Sequence, residues 1–234
     1  MLTCTIDILQ QLLVLDDRVF LFFNGFHSSY FDALMMMLTG KFIWVPLYAA
    51  MAAALFMSRR AAAALMLLVG VGLVIAITDY SIASCIRPYF CRLRPSNPDN
   101  PVSVMGHVVD GYRGGDYGFP SCHAANSFAL AVFMSLVARR RLFTWFIFLW
   151  AVLHSYTRLY LGVHYPGDLI VGTLYGSLIG AVIYMLLRLV PFGGKQLTHN
   201  DRSETIWIVR PWTWPVVTGV ATVAVAAIVA VFIM

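Results

Sequence analysis

The chain has 234 residues, of which 60% are hydrophobic and only 12% charged, with a mean hydropathy of +0.79. A soluble domain carries about 25% charged residues, so this composition excludes an ordinary water-soluble globule and points to a bilayer as solvent. The formal charge of +5 does not indicate a nucleic-acid partner, because the basic residues are scattered and form no stripe interleaved with stacking aromatics.

A membrane-crossing helix needs roughly 20 mostly apolar residues, so about six spans fit with short connectors. Residues 5–23 read as a helix with Ile6, Leu9, Leu12, Leu13 and Phe20 on its apolar side, interrupted by Asp16, Asp17 and Arg18. That pattern suits a helix lying in the membrane interface better than a span. Asp7, Asp16 and Asp17 stand where a cleavable signal peptide would carry basic residues, so none is expected. The spans follow at about 35–57, 61–86, 121–138, 142–157, 167–190 and 212–234. A polar segment, 87–119, joins the second and third spans, and a polar loop from Pro191 to Pro211 precedes the sixth. The expected fold class is all-α: one integral membrane domain of about six spans, a six-helix bundle with an N-terminal interfacial amphipathic helix. Cys4, Cys85, Cys91 and Cys122 show no metal-site or CxxC spacing and read as unpaired thiols.

Charge sets the orientation. Arg59, Arg60, Arg139, Arg140, Arg141, Arg188, Lys195, Arg202 and Arg210 fall on one side, against Asp201 and Glu204. Short loops rich in Lys and Arg stay in the cytoplasm. Both termini, the 87–119 loop and the 158–168 turn are therefore expected outside.

Three polar stretches share that outer side. They are Arg87 to Pro95 at the exit of the second span, Pro120-Ser121-Cys122-His123 at the start of the third, and Arg158, His164 and Asp168 between the fourth and fifth. Singly each is a weak motif; together, at span ends facing one way, they define a candidate site. Guanidinium forks on Arg87, Arg94 and Arg158 match phosphate oxygens. Ser121 is placed to cap a helix whose first amides suit an anion. Asp168 lies four residues after His164, within reach to fix its tautomer and raise its basicity. An oriented imidazole is a competent nucleophile toward phosphorus, and His123 is then the proton donor to the leaving group. Elsewhere blander readings are preferred. Arg92 and Arg113 read as solvated or headgroup-binding charges, and His27, His107, His154 and His199 as polar filler. Asp79, an ionisable group inside a span, reads as a partner for a nearby arginine or for Ser81. The 96–119 loop is expected to cap the pocket.

These blocks resemble the type-2 phosphatidic acid phosphatase superfamily, whose signature is Lys-x6-Arg-Pro, Pro-Ser-Gly-His and Ser-Arg-x5-His-x3-Asp. The counterparts are Arg87-x6-Arg94-Pro95, Pro120-Ser121-Cys122-His123 and Thr157-Arg158-x5-His164-x3-Asp168, with every internal spacing kept. The resemblance covers roughly residues 30–190, including the turn Leu161 to Pro166. It implies a helical membrane core, dephosphorylation without a metal or other cofactor, and a phosphohistidine intermediate. His164 is then the nucleophile, Asp168 its orienter and His123 the general acid, with Arg87, Arg94, Ser121, Cys122 and Arg158 holding the phosphate. Three positions depart from the signature: Arg87 replaces Lys, Thr157 replaces Ser and Cys122 replaces Gly. The last matters most, since glycine lets backbone approach a phosphate closely. The expected partners are the bilayer and a lipid phosphate, with undecaprenyl diphosphate the first choice and lipid A, phosphatidylglycerol phosphate and phosphatidate the rivals. The expected location is the bacterial inner membrane, with the site facing the periplasm. A transporter or channel fits less well, because the ionisable groups gather at one face and not near the midplane. A haloperoxidase-like oxidase shares the anion pocket but usually has a soluble body.

Overall fold

The computed structural model describes residues 2–59, 61–192, 195–196 and 211–233. Expectations resting on Arg60, His199, Asp201, Arg202, Glu204 and Arg210, and on the side chains of Cys4, Ile6, Asp7 and Lys195, lie outside the described residues.

Helix dominates, as the apolar runs require: with no water in the hydrocarbon, backbone polar groups must pair within their own segment. The helices are α1 (Leu2–Asn24), α2 (Ser29–Thr39), α3 (Val45–Ser58), α4 (Ala61–Tyr80), α5 (Arg87–Phe90), α6 (Cys122–Ala138), α7 (Arg141–Tyr160), α8 (Pro166–Leu189) and α9 (Thr213–Ile233). A wide π-helical turn, Ser81–Ile86, joins α4 to α5. Extended pairing among the described residues amounts to a two-residue ladder after α8 and a single bridge, Leu93 with Tyr117. Three helical stretches are long and apolar enough to cross a membrane, Ala61–Phe90, Pro166–Leu189 and Thr213–Ile233, and a fourth if the bent α2–α3 pair is one span. The chain is thus a multi-pass membrane protein.

The structure departs from the expected first span, 35–57. Helix α2 begins earlier, capped by Ser28, and stops at Thr39; after Gly40 and a short 3-10 turn the chain resumes as α3, bent by 69°. Pro46 sits in the first turn of α3, where its missing N–H leaves no bond unmade.

The tightest packing is α6 against α8, along a stripe of small residues. A Cβ built on Gly172, Gly176 or Gly180 would lie 2.5, 2.0 or 2.4 Å from the carbonyl oxygens of Ser121, Ala125 and Ala129. Spaced four apart, these glycines let two backbones touch, the usual way helices associate where lipid offers no hydrophobic drive. The main core lies below, around Trp44, Leu47, Leu55, Leu67, Phe133, Phe143 and Ile147. At that end Arg59 donates to Val137 O at 2.8 Å and Arg139 to the Tyr184 hydroxyl at 3.0 Å. At the opposite end the exit of α4–α5, the start of α6, the end of α7 and the start of α8 converge. That convergence gathers the three sequence blocks.

Candidate active site

His164 lies in the turn between α7 and α8 and is 1% exposed. Its Nδ1 is 3.3 Å from Asp168 Oδ2, and Arg94 Nη1 donates to its Nε2 at 2.9 Å. A guanidinium can only donate, so Nε2 accepts and the ring proton must sit on Nδ1, facing the carboxylate. This tautomer leaves the Nε2 lone pair facing Arg94. Burial first, then the charges of Arg94, Arg158 and Arg87, push the His164 imidazole well below its ordinary value, so the ring is neutral at neutral pH.

Asp168 is fully buried in the first turn of α8, where its carboxylate complements the helix dipole. Oδ2 also accepts from the backbone N–H of Tyr165 at 3.0 Å, reaching back to the residue that caps the helix. The same region is tied to α6: Ser121 N–H donates to Asp168 O at 3.0 Å, while Ser121 Oγ caps α6 by accepting from Ala124 N–H at 3.4 Å. Gly118 closes over the pair, and a Cβ there would lie 3.0 Å from Asp168 Oδ2.

The arginines converge on this imidazole. Arg94 also donates to Val163 O at 3.0 Å, and burial together with Arg87 and Arg158 pushes its guanidinium down to about 10. Arg87 donates to Pro120 O through Nε at 3.3 Å and Nη2 at 3.1 Å. Arg158 donates to Thr39 Oγ1 at 2.7 Å and to the Tyr112 hydroxyl at 3.2 and 3.3 Å. The Nε donors of Arg94 and Arg158 are buried and unpartnered among the described residues. Unsatisfied buried cationic donors are costly, and an anion is the group that would satisfy them. His123, in the first turn of α6, lies within electrostatic reach of Arg158, His164 and Arg94. The structure therefore brings His164, Asp168, His123, Arg87, Arg94, Ser121 and Arg158 to one end of the bundle.

Cys122 turns away from this cup. It is 8% exposed and packs with Ile82 and Ala125, flanked by Ile86 and Tyr175. A maleimide is therefore expected to label Cys85 and Cys91, which are exposed, well before Cys122. Peptide mass spectrometry of the labelled protein reads this directly, and early modification at Cys122 would contradict the packing.

Several bland sequence readings are corrected. Arg92 is not a solvated charge: its Nη1 donates to Asp168 Oδ1 at 2.9 Å and its Nη2 to Asp16 Oδ2 at 2.7 Å. Arg113 stays exposed, as expected, and also bonds Ser96 O, while Ser96 Oγ donates back to Arg113 O at 2.8 Å, stapling the loop. His154 is buried, bonded to Ser127 at 2.7 Å, stacked on Trp150, and has its ring centre 5.5 Å from that of His123. His27 stacks on His107 at 3.8 Å, and His107 meets Asp32 at 3.0 Å. Asp79 is exposed and accepts from Asn126 at 3.3 Å, while Ser81 pairs with Tyr175 at 2.7 Å. One signal could have found Arg92. In the extended segment beside Tyr117, residues two apart share a side, so Arg92 and Arg94 face the same dyad.

A buried oriented imidazole among guanidiniums, at one end of a membrane helix bundle, defines a phosphate-cleaving membrane enzyme. The chain belongs to the PAP2 superfamily, whose sequence pattern matches residues 62–191, and it is a phosphatase, a hydrolase of phosphoric ester or anhydride bonds. It is 46% identical over 191 residues to a lipid A 4'-phosphatase of Bacteroides thetaiotaomicron, covering 82% of each chain. It is 33% identical over 176 residues to a lipid A 4'-phosphatase of Porphyromonas gingivalis, covering 75% of this chain and 74% of that one. Its fold matches the crystal structure of a transmembrane PAP2-type phosphatidylglycerolphosphate phosphatase from Bacillus subtilis with a TM-score of 0.56 at 18% identity, covering 75% of this chain and 86% of the other.

Proposed function

We propose that the chain removes a phosphate from lipid A through a phosphohistidine on His164. One observation carries this reading: a buried His164, with Nδ1 on Asp168 and Nε2 turned to an arginine-lined cup. Nε2 attacks phosphorus as the bond to the leaving alkoxide breaks. Arg87, Arg94, Arg158, Ser121 and the first amides of α6, including that of Cys122, take the charge on the equatorial oxygens. The guanidiniums supply the positive charge that a metal supplies elsewhere, so no metal is required. His123 takes up a proton once the phosphate dianion offsets the surrounding arginines, gives it to the leaving oxygen and then, as a base, activates the water that cleaves the phosphohistidine. Lipid A moves ahead of undecaprenyl diphosphate because two relatives, spanning most of this chain, bear that activity in their names.

The fold reading belongs to the same proposal. We count six spans, taking the bent α2–α3 pair once with α4–α5, α6, α7, α8 and α9, and place the first half of α1 in the interface. Exposed Ile8, Leu9, Leu12, Leu13 and Leu15 support that placement of α1. Arg59 and Arg139 at the end away from His164 support a cytoplasmic position there, putting the site on the periplasmic side of the inner membrane.

The test is phosphate release in EDTA from purified protein offered lipid A, undecaprenyl diphosphate, phosphatidylglycerol phosphate and phosphatidate. Mass spectrometry locates the phosphate lost from lipid A. Fastest release from lipid A supports the reading. A preference for another lipid phosphate keeps the chemistry and replaces the substrate; activity that EDTA abolishes ends it.

A further inference from the structure

We propose that the N-terminal helix is part of the catalytic apparatus: Arg92, anchored by Asp16 of α1, is a positioning residue that holds the Asp168 carboxylate on His164. The inference rests on the function proposed above, but the contacts behind it are independent of substrate.

The torsion that turns a carboxylate is soft and nearly two-fold, so its plane is set by the donors around it. Among the described residues, three donors reach the Asp168 side chain: Tyr165 N–H and His164 Nδ1 share Oδ2, at 3.0 and 3.3 Å, and Arg92 takes Oδ1, at 2.9 Å. Without Arg92, one oxygen of a wholly buried carboxylate loses its charged partner, and the group is free to turn away from the imidazole. Arg92 is itself fixed on three sides. Its other terminal nitrogen meets Asp16 Oδ2 at 2.7 Å, and its guanidinium carbon lies 4.1 Å from the centre of the Tyr165 ring. A planar fork spans two carboxylates in this way; an ammonium does not.

Asp16 is placed with equal care. Its Oδ1 accepts from Gly167 N–H at 2.8 Å, at the start of α8. A Cβ on Gly167 would come within 2.8 Å of Asp16 Oδ2, so a side chain there would push that carboxylate aside. The second half of α1 is docked on both sides of this contact. Phe20, 1% exposed, meets Tyr165 edge to face at 5.4 Å. Asn24 donates to Tyr160 O at 2.8 Å and to His107 O at 3.0 Å, and accepts from His107 N–H at 2.6 Å. Helix α1 lies wholly outside residues 62–191, the part matching the family pattern, and Arg92 occupies one of the unspecified positions between Arg87 and Arg94. The clamp thus joins Arg92, inside the matched segment, to Asp16, outside it.

The full-length protein, in detergent supplemented with phospholipid, provides the test with lipid A bisphosphate and phosphatidate as probes. Arg92→Gln is expected to lower kcat about 30-fold while KM stays within about twofold, since it disturbs the nucleophile and not the arginine cup. Arg92→Lys restores part of the loss, because it reaches one carboxylate and not both. Asp16→Asn lowers kcat about fivefold, and combined with Arg92→Gln it adds nothing further, as expected of groups acting as one unit. A second readout does not need turnover: in 15N-labelled protein the His164 Nδ1–H proton, bonded to the Asp168 carboxylate, lies far downfield in the wild type and moves upfield in Arg92→Gln, while Arg94 holds the tautomer in both. A purely structural clamp would lower thermal stability and leave kcat per folded molecule and that proton shift unchanged, which overturns the proposal. If the wild type cleaves neither lipid, the substrate reading fails, and the Nδ1–H shift alone decides the role of Arg92.

Discussion

Replacing His164 by alanine is expected to lower turnover more than about a thousandfold, the scale of losing a nucleophile. The ring is buried, held in one tautomer and kept neutral by its surroundings, and among the described residues no second imidazole lies between Asp168 and Arg94. His164→Gln, closer in volume, should be as inactive while keeping the melting temperature nearer to wild type, separating chemistry from folding. Asp168→Asn should fall between that variant and the wild type. Both oxygens of Asp168 accept from donors, so an amide satisfies one side and turns its NH2 toward N–H groups on the other. Rates of phosphate release measure all three, and a His164→Ala rate within tenfold of wild type would remove the imidazole from the mechanism.

The second large effect is expected at a position that touches no substrate. Gly176→Ala places a methyl 2.0 Å from the carbonyl oxygen of Ala125 and 2.6 and 2.7 Å from its C and Cα. Those are backbone atoms of a helix, so they cannot swing aside, and α6 and α8 must move apart. Overpacking commonly costs about 1–3 kcal/mol, and a backbone clash belongs at or beyond the upper end. Activity falls as well, because α6 carries Ser121 and His123 and α8 carries Asp168. Gly72→Ala is the control: it lies in α4 with nothing within 4 Å of its added Cβ. Alanine there replaces a poor helix former, so stability should hold or rise by about 0.5–1 kcal/mol. Thermal unfolding in detergent compares the two, and equal melting temperatures would refute the close contact.

The candidate site was legible largely because its members lie in short blocks whose spacing survives in sequence. Helices α4, α6, α8 and α9 were legible for a related reason: lipid demands long apolar runs, and polar connectors end them. The break at Gly40 was missed because Thr39-Gly40-Lys41 interrupts an apolar stretch too briefly to register as a loop. Its effect is tertiary, since ending α2 there leaves Thr39 Oγ1 against Arg158. In sequence Asp16 only interrupts an amphipathic face, and its partner lies 76 residues away. No local pattern announces such a pair. His154 was similarly invisible: an isolated histidine on an apolar helix carries no sign that Trp150 and His123 will enclose it.

The bond from Arg94 to His164 Nε2 has a chemical consequence of its own. The lone pair that would attack is already covered by a proton it cannot take, because guanidinium holds its hydrogens far too firmly. Only a ligand able to draw Arg94 aside uncovers it, and that means one with anionic oxygens. A neutral phosphotriester or a stray acylating agent exerts no such pull and finds the ring masked. In the proposed mechanism Arg94 is thus a safety catch, which the charge of the correct substrate releases.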